Sequence, residues 1–260
     1  MKRFWVVVGC AGTFMAVAIL TALAVPREVG VAIDKVVQLL FAVAALVAYA
    51  RQRNGWMTAA MASLTVGLSA WIFFATSVQS ASRSLLDNAN LIRKTRFPRQ
   101  LVPLSVVATN LISFAVMLLV LLVLNFALLP RVRATEWLAL PIAVAFVAIT
   151  GGLALAIASL NVLFRDIEFL VAALLLPLFF LTPVLYPLTD QQIASRQWVV
   201  DLIHWANPLS PPIEALHAVL FYGNLPSAGD TIYTVVAALV ALLLGASVFT
   251  AVDDEIAVEV

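Results

Sequence analysis

Charged residues are scarce in this chain of 260 residues: they make up 11% of it, whereas hydrophobic residues make up 63%. A soluble domain carries about 25% charged residues, so this chain is too apolar to cover itself with a water-compatible surface. Its apolar runs are continuous over about 20 residues, the length with which a helix crosses hydrocarbon. They lack the apolar–polar alternation of membrane β-barrel strands. The sequence therefore predicts an all-α membrane protein.

Motifs for several kinds of chemistry are also missing. A single cysteine, Cys10, excludes an intramolecular disulfide and a cysteine-cluster metal site. No glycine belongs to a G-x-x-x-x-G-K-S/T phosphate loop, which excludes ATP binding by that motif. The two histidines, His204 and His217, have no third ligand at metal-site spacing. We therefore expect no metal site and no catalytic residue on this chain.

The apolar segments hold no acidic or basic residue deep inside them. Proton- and ion-coupled transporters place ionisable side chains near the middle of the membrane, so secondary transport and intramembrane proteolysis are both disfavoured. The net charge of +1 gives no sign of a nucleic-acid partner.

Seven apolar segments are visible in what reads as a single membrane domain, residues 1–260: they are 5–25, 33–50, 57–81, 101–129, 138–161, 167–187 and 231–252. We expect six transmembrane helices, or seven if 33–50 also crosses, and charge placement does not choose between the two topologies. The connection 188–230 is amphipathic and contains several prolines. Its apolar run 213–222 is too short to span and predicts a re-entrant or interfacial helix before the last span.

The loop 82–100 is strongly basic, with one acid, Asp87, against five basic residues: Arg83, Arg93, Lys94, Arg96 and Arg99. Short loops rich in Lys and Arg stay in the cytoplasm, which fixes the orientation of the later segments. Residues 84–92 can form a short amphipathic helix, which Phe97-Pro98 then stops, because proline disfavours helical geometry in the residue before it. A short helix held between two spans resembles a docking element for a soluble partner.

Four stretches, in their order and sidedness, resemble the membrane-spanning permease of type-2 ABC exporters, especially the branch that exports polysaccharides, O-antigen, teichoic acid or other lipid-linked glycans. They are GLSAWIFFATSVQSASRSLLDNANLIRKTRFPRQLVPLS (67–105), LNVLFRDIEFLV (160–171), FFLTPVLYPL (179–188) and NPLSPPIEALHAVLFYG (207–223), and the tail 249–260 is similar as well. The resemblance covers about residues 65–260. Residues 1–64 are atypical, because Met1-Lys2-Arg3 runs straight into apolar sequence where the family opens with a cytoplasmic amphipathic helix.

The resemblance implies two permease copies around a central channel in the cytoplasmic (inner) membrane of a bacterium, and two separate ATP-binding subunits. ATP and Mg would then lie on the partner subunits, with no cofactor on this chain. The coupling helix would be about 84–96, and the ATPase-coupling residues would be Asn88, Asn90, Leu91, Ile92, Arg93, Lys94, Phe97, Pro98 and Arg99. A second cytoplasmic loop would contain Arg165 and Asp166. The aromatic residues that could line a sugar path, or else pack in the core or face lipid, are Trp71, Phe73, Phe74, Phe179, Phe180 and Tyr186.

Three alternatives remain open at this stage. The chain could be a type-2 permease for a drug or small lipid, or a non-transporting assembly partner. It could also be a membrane enzyme acting on lipid-linked sugars, which would need clustered carboxylates or histidines at the membrane surface. The outer-side candidates for such a cluster are Asp190, Asp201, Glu214 and Asp230, and we expect them to be scattered rather than clustered.

Overall fold

Long apolar runs fold as helices because a chain in hydrocarbon has to satisfy its own backbone hydrogen bonds. The computed structural model describes residues 55–94, 97–128, 134–184 and 197–259. In this part of the chain the all-α prediction is confirmed, and we number its α-helices α1 Gly55–Asp87, α2 Ala89–Lys94, α3 Leu101–Leu128, α4 Ala139–Leu163, α5 Ile167–Leu181, α6 Gln197–Ala206, α7 Ser210–His217 and α8 Ala228–Glu259. A 3-10 turn, Glu136–Leu138, precedes α4, and a π-helical turn, Ala218–Tyr222, follows α7.

The described residues belong to the larger of two units into which the chain divides, Asn54–Val260. The other unit, Met1–Arg53, and with it the predicted segments 5–25 and 33–50, lies outside the described residues. The single membrane domain over residues 1–260 stays a prediction.

Three described helices are long and apolar enough to cross a membrane: Leu101–Val123 in α3, Glu136–Leu163 with α4, and Ala228–Asp253 in α8. They coincide with the predicted segments 101–129, 138–161 and 231–252. Helix α5 is apolar but has only 15 residues, about 22 Å at 1.5 Å per residue. The predicted segment 57–81 lies within α1, which has 33 residues. The total of six or seven crossings stays a prediction.

Helix α4 is the central helix, and it packs on α8 with the two backbones in direct contact. Half of the residues in the most apolar stretch of α4 are buried inside the protein. The buried share of the corresponding stretch is 28% in α8 and 22% in α3. A Cβ atom built on Gly152 of α4 would lie 2.6 Å from the backbone nitrogen of Leu242 on α8. A Cβ built on Gly245 of α8 would in turn lie 3.0 Å from the Cα of Gly152. Small residues allow such close approach between membrane helices, where packing rather than water drives association.

Aromatic rings fill the space where α1, α3 and α4 meet. Phe73 stacks on Phe114 with 4.9 Å between ring centroids, and Phe146 lies 6.1 Å from Phe73 and 6.3 Å from Phe114. Each of the three rings is at most 4% exposed. Offset or tilted rings at these distances attract one another in addition to the area that they bury.

The predicted short helix before the last span is present as α7 with its π-helical turn. Its two prolines, Pro211 and Pro212, lie in the first turn, where a missing N–H leaves no helical hydrogen bond broken. The turn ends at Gly223, whose φ of 68° is in the left-handed region that glycine adopts without strain. Because Ile213 and Leu220 are fully buried, the apolar side of this helix packs against protein.

Candidate functional site

The basic loop begins with a sharp turn at Asn88. Helix α1 continues to Asp87, and the separate helix α2 begins at Ala89. The predicted start of the short helix at residue 84 was therefore wrong, because residues 84–87 belong to α1. The Asn88 side-chain amide donates to the Ser84 carbonyl at 2.8 Å, and the Asn88 carbonyl accepts the N–H groups of Leu91 and Ile92. Asn88 therefore closes α1 with its side-chain amide and opens α2 with its backbone carbonyl, which accepts N–H groups that a helix start leaves without partners.

The underside of α2 is held by apolar packing. Ala89 and Ile92, together with Phe97 beyond the helix, pack against a cluster that we call the basal core: Leu85, Val102, Leu155, Ala158, Val162, Phe249 and Val252. These residues come from α1, α3, α4 and α8. The short helix α2 is thereby seated on the ends of four long helices, although helices of this length are unstable on their own.

The outer face of α2 is exposed and basic. Asn90, Arg93 and Lys94 are exposed, and half of the Leu91 surface is accessible. Positions 90, 93 and 94 are three and four residues apart and so share a face of the helix. Pro98 is exposed and Arg99 half-buried, whereas Arg96 lies outside the described residues. The structure thus describes an exposed basic face over an apolar seat, and the docking role of this segment stays a prediction.

Two ion pairs connect the loop to other helices. Arg83 of α1 approaches Glu168 of α5, with 2.8 Å between Nε and Oε2. Arg99 approaches Asp253 of α8 at 3.2 Å and also donates to the Asp253 backbone carbonyl at 2.6 Å. Both acids were missed by the sequence reasoning, since nothing in their local sequence shows which arginine they face.

The predicted second loop is the short turn between α4 and α5, where Arg165 and Asp166 are both exposed. The buried residue at this turn is Asn161, which is fully inaccessible. Its Oδ1 accepts the backbone N–H of Glu168 at 3.0 Å, in the first turn of α5, where backbone donors lack helical partners. An asparagine at the end of an apolar segment was the signal for this contact that the sequence offered.

Most of the predicted substrate-path aromatics pack inside the described chain. Trp71 lies 5.3 Å from Phe179 between ring centroids, and Phe73, Phe74 and Phe179 are each less than 5% exposed. Phe180 is 57% exposed, and Tyr186 lies outside the described residues. Their role along a substrate path stays a prediction.

A second polar cluster lies on α6, α7 and α8. The His204 ring faces Asp230 at 2.7 Å through Nε2 and Glu214 at 3.2 Å through Nδ1. The expectation that the outer-side carboxylates are scattered was therefore wrong for these two, because the fold joins residues that lie on three helices. One ligand atom from each residue lies within 4.8 Å of the others. Since both ring nitrogens already face carboxylates, the geometry suits a protonated ring, whereas a metal would need a deprotonated nitrogen.

The charge of His204 should make the chain's stability depend on pH. Hydrogen bonds to Asp230 and then to Glu214 raise the pKa of His204 from 6.5 to about 9, against an opposing effect of burial. The stabilisation that comes from this raised pKa is fully present below pH 6.5, where His204 is protonated in both the folded and the unfolded chain. It is lost as the pH rises through 9. With allowance for solvent screening it is on the order of 1–2 kcal/mol.

We expect the melting temperature of the purified chain to fall between pH 6.5 and 9 and that of His204→Gln to change much less. Thermal melting in detergent across this range would measure the difference. Asp201→Asn, a change at an exposed charge on the same helix, is the matched control and should behave like the wild type. Equal pH profiles for the wild type and His204→Gln would contradict the prediction.

Three helices that are long and apolar enough to cross a membrane, with an exposed basic segment seated on their ends, define a helical membrane protein. The chain belongs to the ABC-2 type transporter family, whose model matches residues 14–221. This confirms the predicted resemblance and a transporter subunit rather than a membrane enzyme. An ABC-type ATP-binding partner and a membrane location follow from the family.

Two relatives support the same placement. The chain is 36% identical over 195 residues to the O-antigen export system permease protein RfbA of Myxococcus xanthus. The aligned region covers 74% of this chain and 73% of that protein. It is 32% identical over 164 residues to the protein of the same name from Klebsiella pneumoniae, covering 62% of this chain and 61% of that protein.

Proposed function

We propose that this chain is the permease subunit of an ATP-driven exporter that moves a polysaccharide or lipid-linked glycan across the cytoplasmic (inner) membrane of a bacterium. The observation that carries the proposal is the 36% identity to an O-antigen export permease over about three quarters of both chains. The permease acts as two copies around a channel of six, or seven, spans per copy. A drug or small lipid as the cargo is the competing proposal within the same family.

Energy enters through the partner in this proposal. ATP and Mg bind to a separate ATP-binding subunit, which docks on the exposed face of α2 and on the turn of Arg165 and Asp166. A partner that bound all states of the permease equally would shift none of them, so docking has to differ between the open and closed ATPase. The apolar seat of α2 on the basal core supports this role, because it lets a push on α2 reach four helices.

The test is the fate of the glycan when the chain is removed from its source bacterium. We expect surface polysaccharide, measured by gel staining and by sugar analysis of the washed cell surface, to fall at least tenfold while the polymer accumulates inside the cell. A plasmid copy of the wild-type chain should restore the surface polymer. Unchanged surface polysaccharide, with altered resistance to a drug or altered lipid asymmetry, would favour the competing cargo and refute the polysaccharide proposal.

A further inference from the structure

Three helices meet at His204, at the end of the helix bundle that lies away from the basal core. The ring belongs to α6, and its Nε2 faces Asp230 in the first turn of α8 at 2.7 Å. Its Nδ1 faces Glu214 of α7 at 3.2 Å. The side chains of His204, Asp230 and Glu214 are 12%, 14% and 25% exposed. Because they are largely shielded from water, the attraction between their charges is screened less than at an open surface.

Trp205, the next residue of α6, makes a second attachment to α8. Its backbone carbonyl accepts the Tyr233 hydroxyl at 2.9 Å, and the two rings lie 5.6 Å apart between centroids. A Cβ built on Gly229 would lie 3.2 Å from Cη2 of the indole, so the indole packs on the start of α8. The His204 ring stands edge-on to the same indole at 4.6 Å. These two neighbours together place the end of α6 against the start of α8.

Helix α7 is held by contacts that do not involve His204. Seven of its eight residues are buried. At its far end the His217 ring packs on α1, where a Cβ built on Gly67 would lie 3.0 Å from the ring Nε2. In the turn before α7, the Asn207 side-chain amide donates to the Thr182 hydroxyl at the end of α5, at 2.7 Å. Helix α7 and its preceding turn are therefore attached to α1 and α5 whatever the charge of His204.

The charge of His204 decides whether both carboxylates keep a hydrogen-bond donor. A protonated imidazole has two N–H donors, whereas a neutral one has a single N–H. When the proton is lost, either Asp230 or Glu214 loses its donor, and the two negative charges remain without a cation between them. Like charges at this range repel each other. The contacts that weaken are those that attach α6, since His204 belongs to that helix.

The other titratable side chains that the structure describes around the cluster do not replace this charge. The pKa of Tyr222, in the π-helical turn, is raised by burial and then by Glu214, which keeps its hydroxyl neutral to higher pH. Tyr233 donates its hydroxyl to a backbone carbonyl. Asp201, on α6, is acidic and exposed, and the His217 ring packs on α1. The positive charge between the two carboxylates is that of His204.

We propose that the charged ring of His204 is a clamp that holds the end of α6 on α7 and α8, and that removal of its proton releases this end of α6 while α7 and the spans stay folded. The inference goes beyond the proposed function and holds whatever the cargo is. Hydrogen bonds to Asp230 and Glu214 raise the pKa of His204 to about 9. The clamp is therefore closed at neutral pH and opens as the pH rises through about 9.

The test measures the distance between α6 and α8 in the full purified chain as the pH rises. Spin labels are placed at Leu202→Cys on α6 and Leu243→Cys on α8, both exposed positions, in a Cys10→Ser background. Unlabelled copies in excess ensure that both labels of a pair lie on one chain. Pulsed EPR compares pH 6.5 with pH 10, about one unit above the pKa of His204. We expect one narrow distance at pH 6.5, and at pH 10 the loss of more than half of its amplitude to longer distances.

Three variants separate the effect of the charge from structural damage. His204→Gln, which cannot carry a charge, should show the longer distances already at pH 6.5 and should respond little to pH. Asp230→Asn should lower the midpoint pH of the opening more than Glu214→Gln does, because the hydrogen bond to Asp230 raises the pKa of His204 most. A merely structural role would not produce this order. Asp201→Asn removes an exposed charge on the same helix and should keep the wild-type midpoint.

A second label pair shows whether the spans stay in place. Val144→Cys on α4 and Thr250→Cys on α8 are both exposed positions, and their distance should be the same at pH 6.5 and pH 10. An unchanged α6–α8 distance in the wild type, wild-type midpoints in both carboxylate variants, or a shift of the α4–α8 pair at the same pH would each overturn the inference. An equal pH response in His204→Gln would also overturn it, because the opening would then come from Tyr222 or Tyr233, which titrate in both chains.

Discussion

Reversing two charges on α2, Arg93→Glu with Lys94→Glu, is expected to lower the affinity for the ATP-binding subunit at least tenfold, about 1.4 kcal/mol. Both side chains are exposed, on the face that points away from the basal core. A partner surface that complements Arg93 and Lys94 is acidic, and the two new glutamates would repel it. Such repulsion is strongly unfavourable and also slows association. The fold should survive, because Ala89 and Ile92 make the apolar contacts of the helix.

Copurification and surface-based binding kinetics in detergent would measure this loss. The matched control is Arg131→Glu with Arg133→Glu, an equal change of charge between the predicted segments 101–129 and 138–161, where the predicted orientation places the connection outside. The control should bind like the wild type. Binding of the wild type should also weaken as salt rises, because exposed charges are screened within about 10 Å at 0.1 M. Wild-type affinity in the α2 double variant would refute docking through this face.

A single methyl group at Gly152 is expected to cost more stability than most substitutions in this chain. In Gly152→Ala the new Cβ would sit 2.6 Å from the Leu242 backbone nitrogen, and a backbone atom cannot rotate away as a side chain can. Helices α4 and α8 would have to separate, which removes contacts along their whole interface. Overpacking of this kind costs about 1–3 kcal/mol, and more where the surroundings are rigid.

The adjacent glycine supplies the control. Among the residues that the structure describes, a Cβ on Gly151 would meet only the Leu104 side chain, at an ordinary 3.9 Å. Gly151→Ala should therefore be neutral or stabilising by up to about 1 kcal/mol through its higher helix propensity. Size-exclusion profiles and melting temperatures in detergent would compare the two variants. Equal melting temperatures for Gly151→Ala and Gly152→Ala would show that the α4–α8 contact is not as close as described.

Sequence alone determined the helical class and the position of the basic loop. A continuous apolar run of about 20 residues has one common solution in a membrane, which is why 101–129, 138–161 and 231–252 correspond closely to α3, α4 and α8. The exposed face of Arg93 and Lys94 was also predictable, because Lys and Arg side chains are rarely fully buried. These properties depend on residues close together in the chain.

The tertiary structure decided which distant residues meet. Arg99 and Asp253 are 154 residues apart, and His204 and Asp230 are 26 apart, so no local pattern pairs them. The break between α1 and α2 at Asn88, the backbone contact of Gly152 with α8 and the attachment of Arg83 to α5 likewise depend on how the helices are arranged. In an apolar chain many helix arrangements bury similar area, and close packing and a few polar pairs select among them; these contacts exist only in the folded chain.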